Sequence, residues 1–313
     1  MLILCPLFGA GIILCRNKAI HWRQQASAYL HPCGFRVTEP LHFHSPIAGI
    51  LLAVHSALIT VMQRAVEKAA RGLKRDFGEV EQLQVARKGP ADFVTAADLR
   101  AQEILCTELA RARPDYGIIA EEGDARKTDR PNRWIIDPLD GTSNFLHGIP
   151  HWAISVAAAH GDQIMAGMVY NPISDEMFWA EKGMGAFSNH RRLRVSARTN
   201  LSDCLIATGI PFKGHEIPGF FNQLMSLAPQ VAGTRRFGAA ALDLAYVAAG
   251  KFDGYWETGV KLWDVAAGIL LVREAGGVVS PLMPETDPVL SGSLLASNQN
   301  IHASLLGVLR AAS

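Results

Sequence analysis

The chain has 313 residues, with 30 Lys and Arg against 29 Asp and Glu and a formal net charge of +1. That balance supplies no bulk field for a nucleic-acid polyanion, while 49% hydrophobic residues suffice for a sizeable core. Cys5, Cys15, Cys33, Cys106 and Cys204 are odd in number and scattered, a pattern of reduced thiols in a cytoplasm rather than of a disulfide framework.

The apolar run from Met1 to Cys15 is about 15 residues long, short of the ~20 that span a bilayer. It lacks a basic segment before it and a clear small-residue cleavage site after it, so neither a membrane anchor nor a signal peptide is expected. Residues 16–46 mix His, Arg, Gln, Pro and Cys without helical or strand period, and we expect residues 1 to about 45 to be a poorly packed extension. Translation beginning near Val54 or Met62 would account for it.

The first periodic element is a helix expected over 50–71, with Leu51, Leu58, Met62 and Val66 as its apolar stripe. From Gly78 onward the chain turns polar and reads as a mobile loop carrying Lys88 just ahead of Gly89-Pro90. Asp98 opens an amphipathic helix over 98–113, ended by Pro114; capping alone would account for that aspartate. Strands follow near Ile118 and Trp134. The first runs into Glu121-Glu122, adjacent carboxylates that repel unless solvated or bound to a cation.

The second runs Trp134-Ile135-Ile136-Asp137-Pro138-Leu139-Asp140-Gly141-Thr142-Ser143-Asn144-Phe145. It reads as a buried strand that stops on Asp137, then a turn made rigid by Pro138, which fixes its own φ and lacks an N–H, then a second acid. Paired acids suit a hard cation with oxygen ligands, such as Mg²⁺. The backbone N–H groups of Gly141 and Thr142 suit a phosphate. Taken alone, the pattern is also that of an ordinary Asp-Gly turn.

Residues 152–195 read as an antiparallel meander with turns at Gly161-Asp162, Asn171-Pro172 and Ser188-Asn189-His190. Arg191, Arg192, Arg194 and Arg198 form a local basic run, read as a solvated hairpin. Strands near Leu205, over 231–235, 254–257, 277–279 and 294–296 then alternate with helices over 220–227, 240–249, 264–275 and 302–311. Asp264 falls where a helix N-cap would stand. Yet three acidic sites, each at the end of an apolar run, fit a metal cluster better than three coincidences. His147 and His151 are four apart with Pro150 between them, and no histidine shows the H-E-x-x-H pattern of a zinc site. Trp179, Trp256 and Trp263 read as packing groups.

From about Val54 to the C-terminus the sequence resembles the inositol monophosphatase family of Mg²⁺-dependent, lithium-sensitive phosphatases, most closely its bacterial members. The resemblance rests on the D-P-I/L-D-G-T-x-N-F block at Asp137 to Phe145, W-D-x-A-A/G-G at Trp263 to Gly268 and D-x-V-T-x-x-D at Asp92 to Asp98. Arg235 to Leu244 is similar to the family's G-S/T-A-A segment, with Ala239 where a hydroxyl residue is common; Ala120 replaces the common Gly before the acidic pair. The resemblance implies an α/β, five-layer αβαβα sandwich over 54–313, in lobes of about 54–198 and 199–313, with 1–53 outside it.

It also implies roles. Glu121, Asp137 and the Leu139 carbonyl would hold one Mg²⁺, and Asp137, Asp140 and Asp264 a second, with a third, weaker ion near Glu121. Thr142 and Asp98 would orient the attacking water, alongside Glu121. Gly141 and Thr142 would cradle phosphate; Asp140, Ala240 and Glu257 would contact the inositol hydroxyls; Lys88 would sit on a loop that closes over the site. The expected reaction is hydrolysis of myo-inositol monophosphate by a metal-activated water, without a covalent phosphoenzyme. Fructose 1,6-bisphosphate, histidinol phosphate and 3′-phosphoadenosine 5′-phosphate are alternative substrates, and a regulatory interaction protein retaining the fold is an alternative role. A cytoplasmic homodimer that requires neither nucleic acid nor membrane completes the expectation, with residues 1–53 dispensable for solubility, dimerisation and activity.

Overall fold

The computed structural model describes residues 56–79, 85–89, 92–122, 129–211, 217–283, 287 and 292–312, with the backbone alone for 85–89, 92–94 and 217–218. Every described element belongs to the unit Leu51–Ser313. The expected N-terminal extension lies outside the described residues.

Helix α1 (Ala57–Phe77) begins where the Ser56 hydroxyl caps the Ile59 N–H. It runs past the expected Arg71 because Leu73 continues the buried stripe of Ile59, Met62, Val66 and Ala69. Strands β1 (Val85–Gly89) and β2 (Asp92–Thr95) form an antiparallel hairpin, so Lys88 lies on a strand rather than in a long loop. Thr95 then caps α2 (Ala96–Ala112).

A seven-stranded sheet follows, in spatial order β3-β4-β5-β6-β7-β8-β9. Its strands are β3 (Gly117–Ala120), β4 (Asn132–Asp140), β5 (Ala153–His160), β6 (Gln163–Asn171), β7 (Glu176–Glu181), β8 (Gly185–Ser188) and β9 (Arg191–Arg192), with short helix α3 (Thr142–Leu146) after β4. The meander has one turn the sequence reading passed over, between β7 and β8, where Gly183 and Gly185 take positive φ.

The second sheet has five strands in order β11-β10-β12-β14-β13. These are β10 (Leu205–Thr208), β11 (Gly233–Arg235), β12 (Gly254–Thr258), β13 (Val278–Pro281) and β14 (Ser293–Ser297). Helices α4 (Ile217–Leu227), α5 (Ala240–Ala248), α6 (Leu262–Glu274) and α7 (His302–Ala311) complete the chain.

Strand alternation sorts these elements into layers. On β4 and β5, Trp134, Ile136, Ile154, Val156 and Ala158 face α1 and α2, whereas Ile135, Ala153 and Ala157 face α5 and α6. On the second sheet, Ala207, Tyr255, Leu294 and Ala296 join that inner cluster, while Ile206, Trp256 and Leu295 face α4 and α7. The order is helices, sheet, helices, sheet, helices: the expected five-layer αβαβα sandwich.

The central helices are almost wholly apolar because both sides are covered; α6 buries Val265 through Val272. Its approach to β6 demands a glycine. A Cβ on Gly167 would fall 2.8 Å from the Ala267 Cα and 2.9 Å from its carbonyl oxygen. Gly167→Ala should therefore push α6 off the sheet and lower stability by about 1–3 kcal/mol, read as an earlier denaturant midpoint with an unchanged m-value.

Candidate active site

β4 does not stop at Asp137. It continues through Pro138 to Asp140, with Asp137 opposite Ser155 and Asp140 opposite Ala153. Two residues, Pro138 and Leu139, thus face one, Ile154, which is a β-bulge. Pro138 has no N–H to give the ladder and sits where the ladder breaks. The bulge has a consequence that the turn reading lacked. In a regular strand, residues three apart point to opposite faces; the extra residue returns Asp140 to the face of Asp137, the inner one shared with Ala153.

Other elements converge there. β3 runs parallel to β4 with Ala120 beside Ile136, and the Glu121 N–H donates to the Ile136 carbonyl at 3.1 Å, so the Glu121 backbone is held against β4 beside Asp137. Gln102 clamps the next residue, donating to the Glu122 carbonyl (2.6 Å) and accepting from its N–H (2.8 Å). The Ser155 hydroxyl donates to the Trp263 carbonyl (3.3 Å), tying the first turn of α6, and with it Asp264, to β5. Asp264 sits inside that turn and accepts from the Lys261 N–H at 2.7 Å. Asp140 accepts from the Ala241 N–H at 2.8 Å, at the N-terminus of α5.

Asp98 is fully buried. Thr95, not Asp98, is the N-cap of α2; Asp98 closes the capping box, accepting from the Thr95 N–H (3.0 Å) and the Thr95 hydroxyl. Its other oxygen, Oδ1, lies 3.3 Å from the Thr142 hydroxyl, which is also 3.1 Å from the Leu139 carbonyl. The expected pair of Thr142 and Asp98 is therefore joined directly, and the same hydroxyl reaches the Leu139 carbonyl.

Gly141 stands at φ +90° between Asp140 and α3, and a Cβ there would meet the His151 carbonyl oxygen at 3.1 Å and the Ala239 Cβ at 3.3 Å. This cradle admits only glycine. Asn144 braces it from below, donating to the carbonyls of His151 and Phe237, both at 2.7 Å. Glu257 accepts from the Tyr255 hydroxyl at 2.6 Å, and a Cβ on Gly209 would overlap its carboxylate. Ala240 is the first residue of α5, whose N-cap, Ala239, offers no side-chain hydrogen bond.

The electrostatics are those of crowded, dehydrated acids. Burial pushes Asp137 well above the ordinary carboxylate range, and the charges of Glu121, Asp140 and Asp264 push it further, with only the Leu139 N–H opposing. Asp140 is raised in the same way, first by burial and then by Asp264. Burial, more than the acids Glu122 and Glu121, takes Asp98 up to about 6. Burial also carries Glu257 to about 7, against the Tyr255 hydroxyl and Arg236.

As they stand, no three His, Cys, Asp or Glu side chains among the described residues enclose a common point closely enough to hold an ion. The carboxylates of Asp137, Asp140 and Asp264 are turned toward the N–H groups of Leu139, Ala241 and Lys261. The donor set nonetheless suits a hard divalent cation: it consists of carboxylate and carbonyl oxygens, and the charged neighbours acting on Asp137 are all acids.

The structure thus gathers Asp98, Glu121, Asp137, Leu139, Asp140, Gly141, Thr142 and Asp264 around the end of β4, with Ala240 next to the Ala241 N–H that Asp140 accepts and the charge of Glu257 acting on Asp140. The side chain of Lys88 lies outside the described residues. Sequence reading missed Gln102, Asn144 and Tyr255 as supports. Gln102 is one helical turn beyond Asp98 on the same face, the signal that could have found it.

Residues 53–313 match the sequence model of the inositol monophosphatase family. An inositol-1-monophosphatase of Caulobacter vibrioides is 52% identical over 256 residues, 80% of this chain and 100% of the relative. The Nus factor SuhB of Escherichia coli K12 is 38% identical over 255 residues, 81% of this chain and 96% of the relative. Among solved structures, the extragenic suppressor protein SuhB of Bartonella henselae superposes with a TM-score of 0.79 at 50% identity, covering 82% of this chain and 99% of that one.

Proposed function

Because the chain belongs to the inositol monophosphatase family, we propose that it hydrolyses small phosphate monoesters, with myo-inositol monophosphate as substrate and Mg²⁺ as cofactor, through the catalytic unit 54–313. The observation that carries this reading is the bulge in β4, which turns Asp137 and Asp140 to one face beside the hydroxyl linking Thr142, Leu139 and Asp98.

Glu121, Asp137, the Leu139 carbonyl, Asp140 and Asp264 would hold two to three Mg²⁺. When bound, the ions supply Lewis-acid stabilisation of phosphoryl and leaving-group oxygens and lower the pKa of bound water. The chain's own groups do the rest. The backbone at Gly141 and Thr142 presents N–H donors to the phosphate, and the missing Cβ at Gly141 leaves room for its close approach. The Thr142 hydroxyl and Asp98 orient the attacking water, and Asp98, whose pKa burial raises to about 6, is placed to take up a proton. Glu257, fixed by Tyr255, and the Ala240 backbone face the polyol side of the leaving group. Ala239 gives that side no hydroxyl, so one polar contact to the alcohol is replaced by a methyl group.

The test is phosphate release with Mg²⁺ across inositol monophosphate, fructose 1,6-bisphosphate, histidinol phosphate and 3′-phosphoadenosine 5′-phosphate. The expected outcome is highest kcat/KM on inositol monophosphate and loss of all turnover in EDTA. Li⁺ at about tens of millimolar should inhibit uncompetitively where matched Na⁺ does not, since oxygen cages select ions by size and geometry.

Lys88→Ala should cost far less than Asp137→Ala. Its backbone lies on the β1–β2 hairpin, and the comparison of kcat in the two variants checks whether it assists closure or enters the chemistry.

The SuhB relatives favour a second reading, a regulatory interaction protein on the same fold. A variant without phosphatase activity that still performs a cellular role lost on deletion would support it. We further propose a homodimer. Ile149, Ile173 and Phe237 are each more than a third exposed, and Asn171 bonds the Pro150 carbonyl (3.4 Å) beside them; light scattering of the full chain would measure its mass. Among the described residues, no helix is long and apolar enough to cross a membrane.

A further inference from the structure

A serine and a histidine far from the acid cluster are joined in a way the sequence concealed. Ser280 is on β13, the edge of the five-stranded sheet, and His302 is the first residue of α7. Ser280 lies opposite Leu295 on β14, which in turn lies opposite Trp256 on β12. Directly opposed residues share a face, and Leu295 and Trp256 pack toward α4 and α7. Ser280 therefore faces away from the central helices, on the opposite side of the sheet from Glu257.

The His302 ring is held at both nitrogens. Nε2 is 2.8 Å from the Ser280 Oγ, and Nδ1 is 2.8 Å from the Oγ of Ser297, which is fully buried. The Ser297 hydroxyl donates at 3.0 Å to the Asn298 carbonyl. A hydroxyl has one proton, so Ser297 must accept from His302 Nδ1–H. Nε2 is then the bare nitrogen, and the Ser280 hydroxyl donates to it. Asn298 fixes the start of α7 by accepting from the N–H groups of Asn300 (2.8 Å) and Ile301 (3.2 Å), which anchors the ring's backbone.

We propose that Ser280 is a second nucleophile of this protein, with His302 as its general base and Ser297 as the group that positions the ring, reactive toward activated acyl and organophosphorus esters. Nucleophile, base and orienter stand in the order that activates a hydroxyl. Burial and Arg310 both lower the imidazole pKa, which keeps Nε2 free to accept. Arg310 is itself held on the carbonyls of Leu282 (2.6 Å) and Pro281 (3.3 Å), so a fixed positive charge stands on this side of β13. Ser280 and His302 are each partly exposed. Ser297 is neutral where hydrolytic triads have a carboxylate, so it sets the tautomer without stabilising an imidazolium, and slow covalent capture is expected rather than fast turnover.

The probe is a biotin-tagged fluorophosphonate applied to the full chain. The Ser280 Oγ–P bond forms as the P–F bond breaks, fluoride leaves, and the Ser280 proton passes to His302 Nε2. The expected result is one phosphonyl adduct per chain, mapped to Ser280 by peptide mass spectrometry. It should be absent in Ser280→Ala, at least about tenfold slower in His302→Gln and several-fold slower in Ser297→Ala. Ser280→Ala should retain phosphate release, and Asp140→Asn should retain labelling, so failure here is separable from failure of the phosphatase reading. No adduct on the native chain, an adduct on a different serine, or labelling of His302→Gln at the native rate overturns the proposal. Should His302→Gln not fold, Ser297→Ala decides: an unchanged rate overturns it.

Discussion

Asp140→Asn and Asp264→Asn are each expected to lower phosphate release by at least about a hundredfold at saturating Mg²⁺, more than the 10–100-fold typical of outer-shell changes at metal sites. Each swap keeps the side-chain volume and removes one negative charge, and the two residues come from different elements, β4 and α6. Both variants should fold. In EDTA they should be more stable than the native chain, because the charges of Asp140 and Asp264 both raise the pKa of Asp137, and that of Asp264 also raises Asp140. For a chain of this size each kcal/mol corresponds to about 2–4 °C in Tm. Native rates in Asp264→Asn would remove it from the site.

Without divalent metal, stability should fall as pH rises from about 4 toward 7. The sign follows from linkage. Asp98 is held at about 6 against an ordinary 3.8, and Glu257 at about 7 against 4.5, with Asp137 and Asp140 also raised. Between those limits the folded chain binds more protons than the unfolded one, so each proton lost is lost at the folded state's expense. Below the unfolded values the penalty vanishes; above the folded ones it is complete. For Asp98 alone a shift of this size corresponds to about 3 kcal/mol. Mg²⁺ should flatten the profile, because ions bound to ionised carboxylates reward the charged state. A Tm in EDTA that rises between pH 5 and 7.5 would contradict the arrangement of raised acids.

Much of this site is legible in the chain because its parts are local. The Asp137 to Phe145 run carries two acids, the glycine that must turn at φ +90° and the threonine whose hydroxyl reaches back to Leu139, all within nine residues. The capping of α2 is equally local, although Thr95 rather than Asp98 fills the cap. The last helix has its expected bounds, His302 and Ala311.

What the chain by itself determined is the inventory: which carboxylates, glycines and apolar runs exist, and their order along five layers. Tertiary structure decided where they point. Asp137 and Asp140 share a face only because pairing with β5 places one extra residue between them, a fact of register that no strand possesses alone. Gln102 and Ser155 matter only once α2 meets β3 and α6 meets β5. Ser280 and His302 are 22 residues apart and become partners only when β13 takes the sheet edge and α7 packs across it. Periodicity is a short-range signal, set by the geometry of one helix or strand. Contacts between elements depend on which surfaces bury each other, and that is settled by the whole core at once.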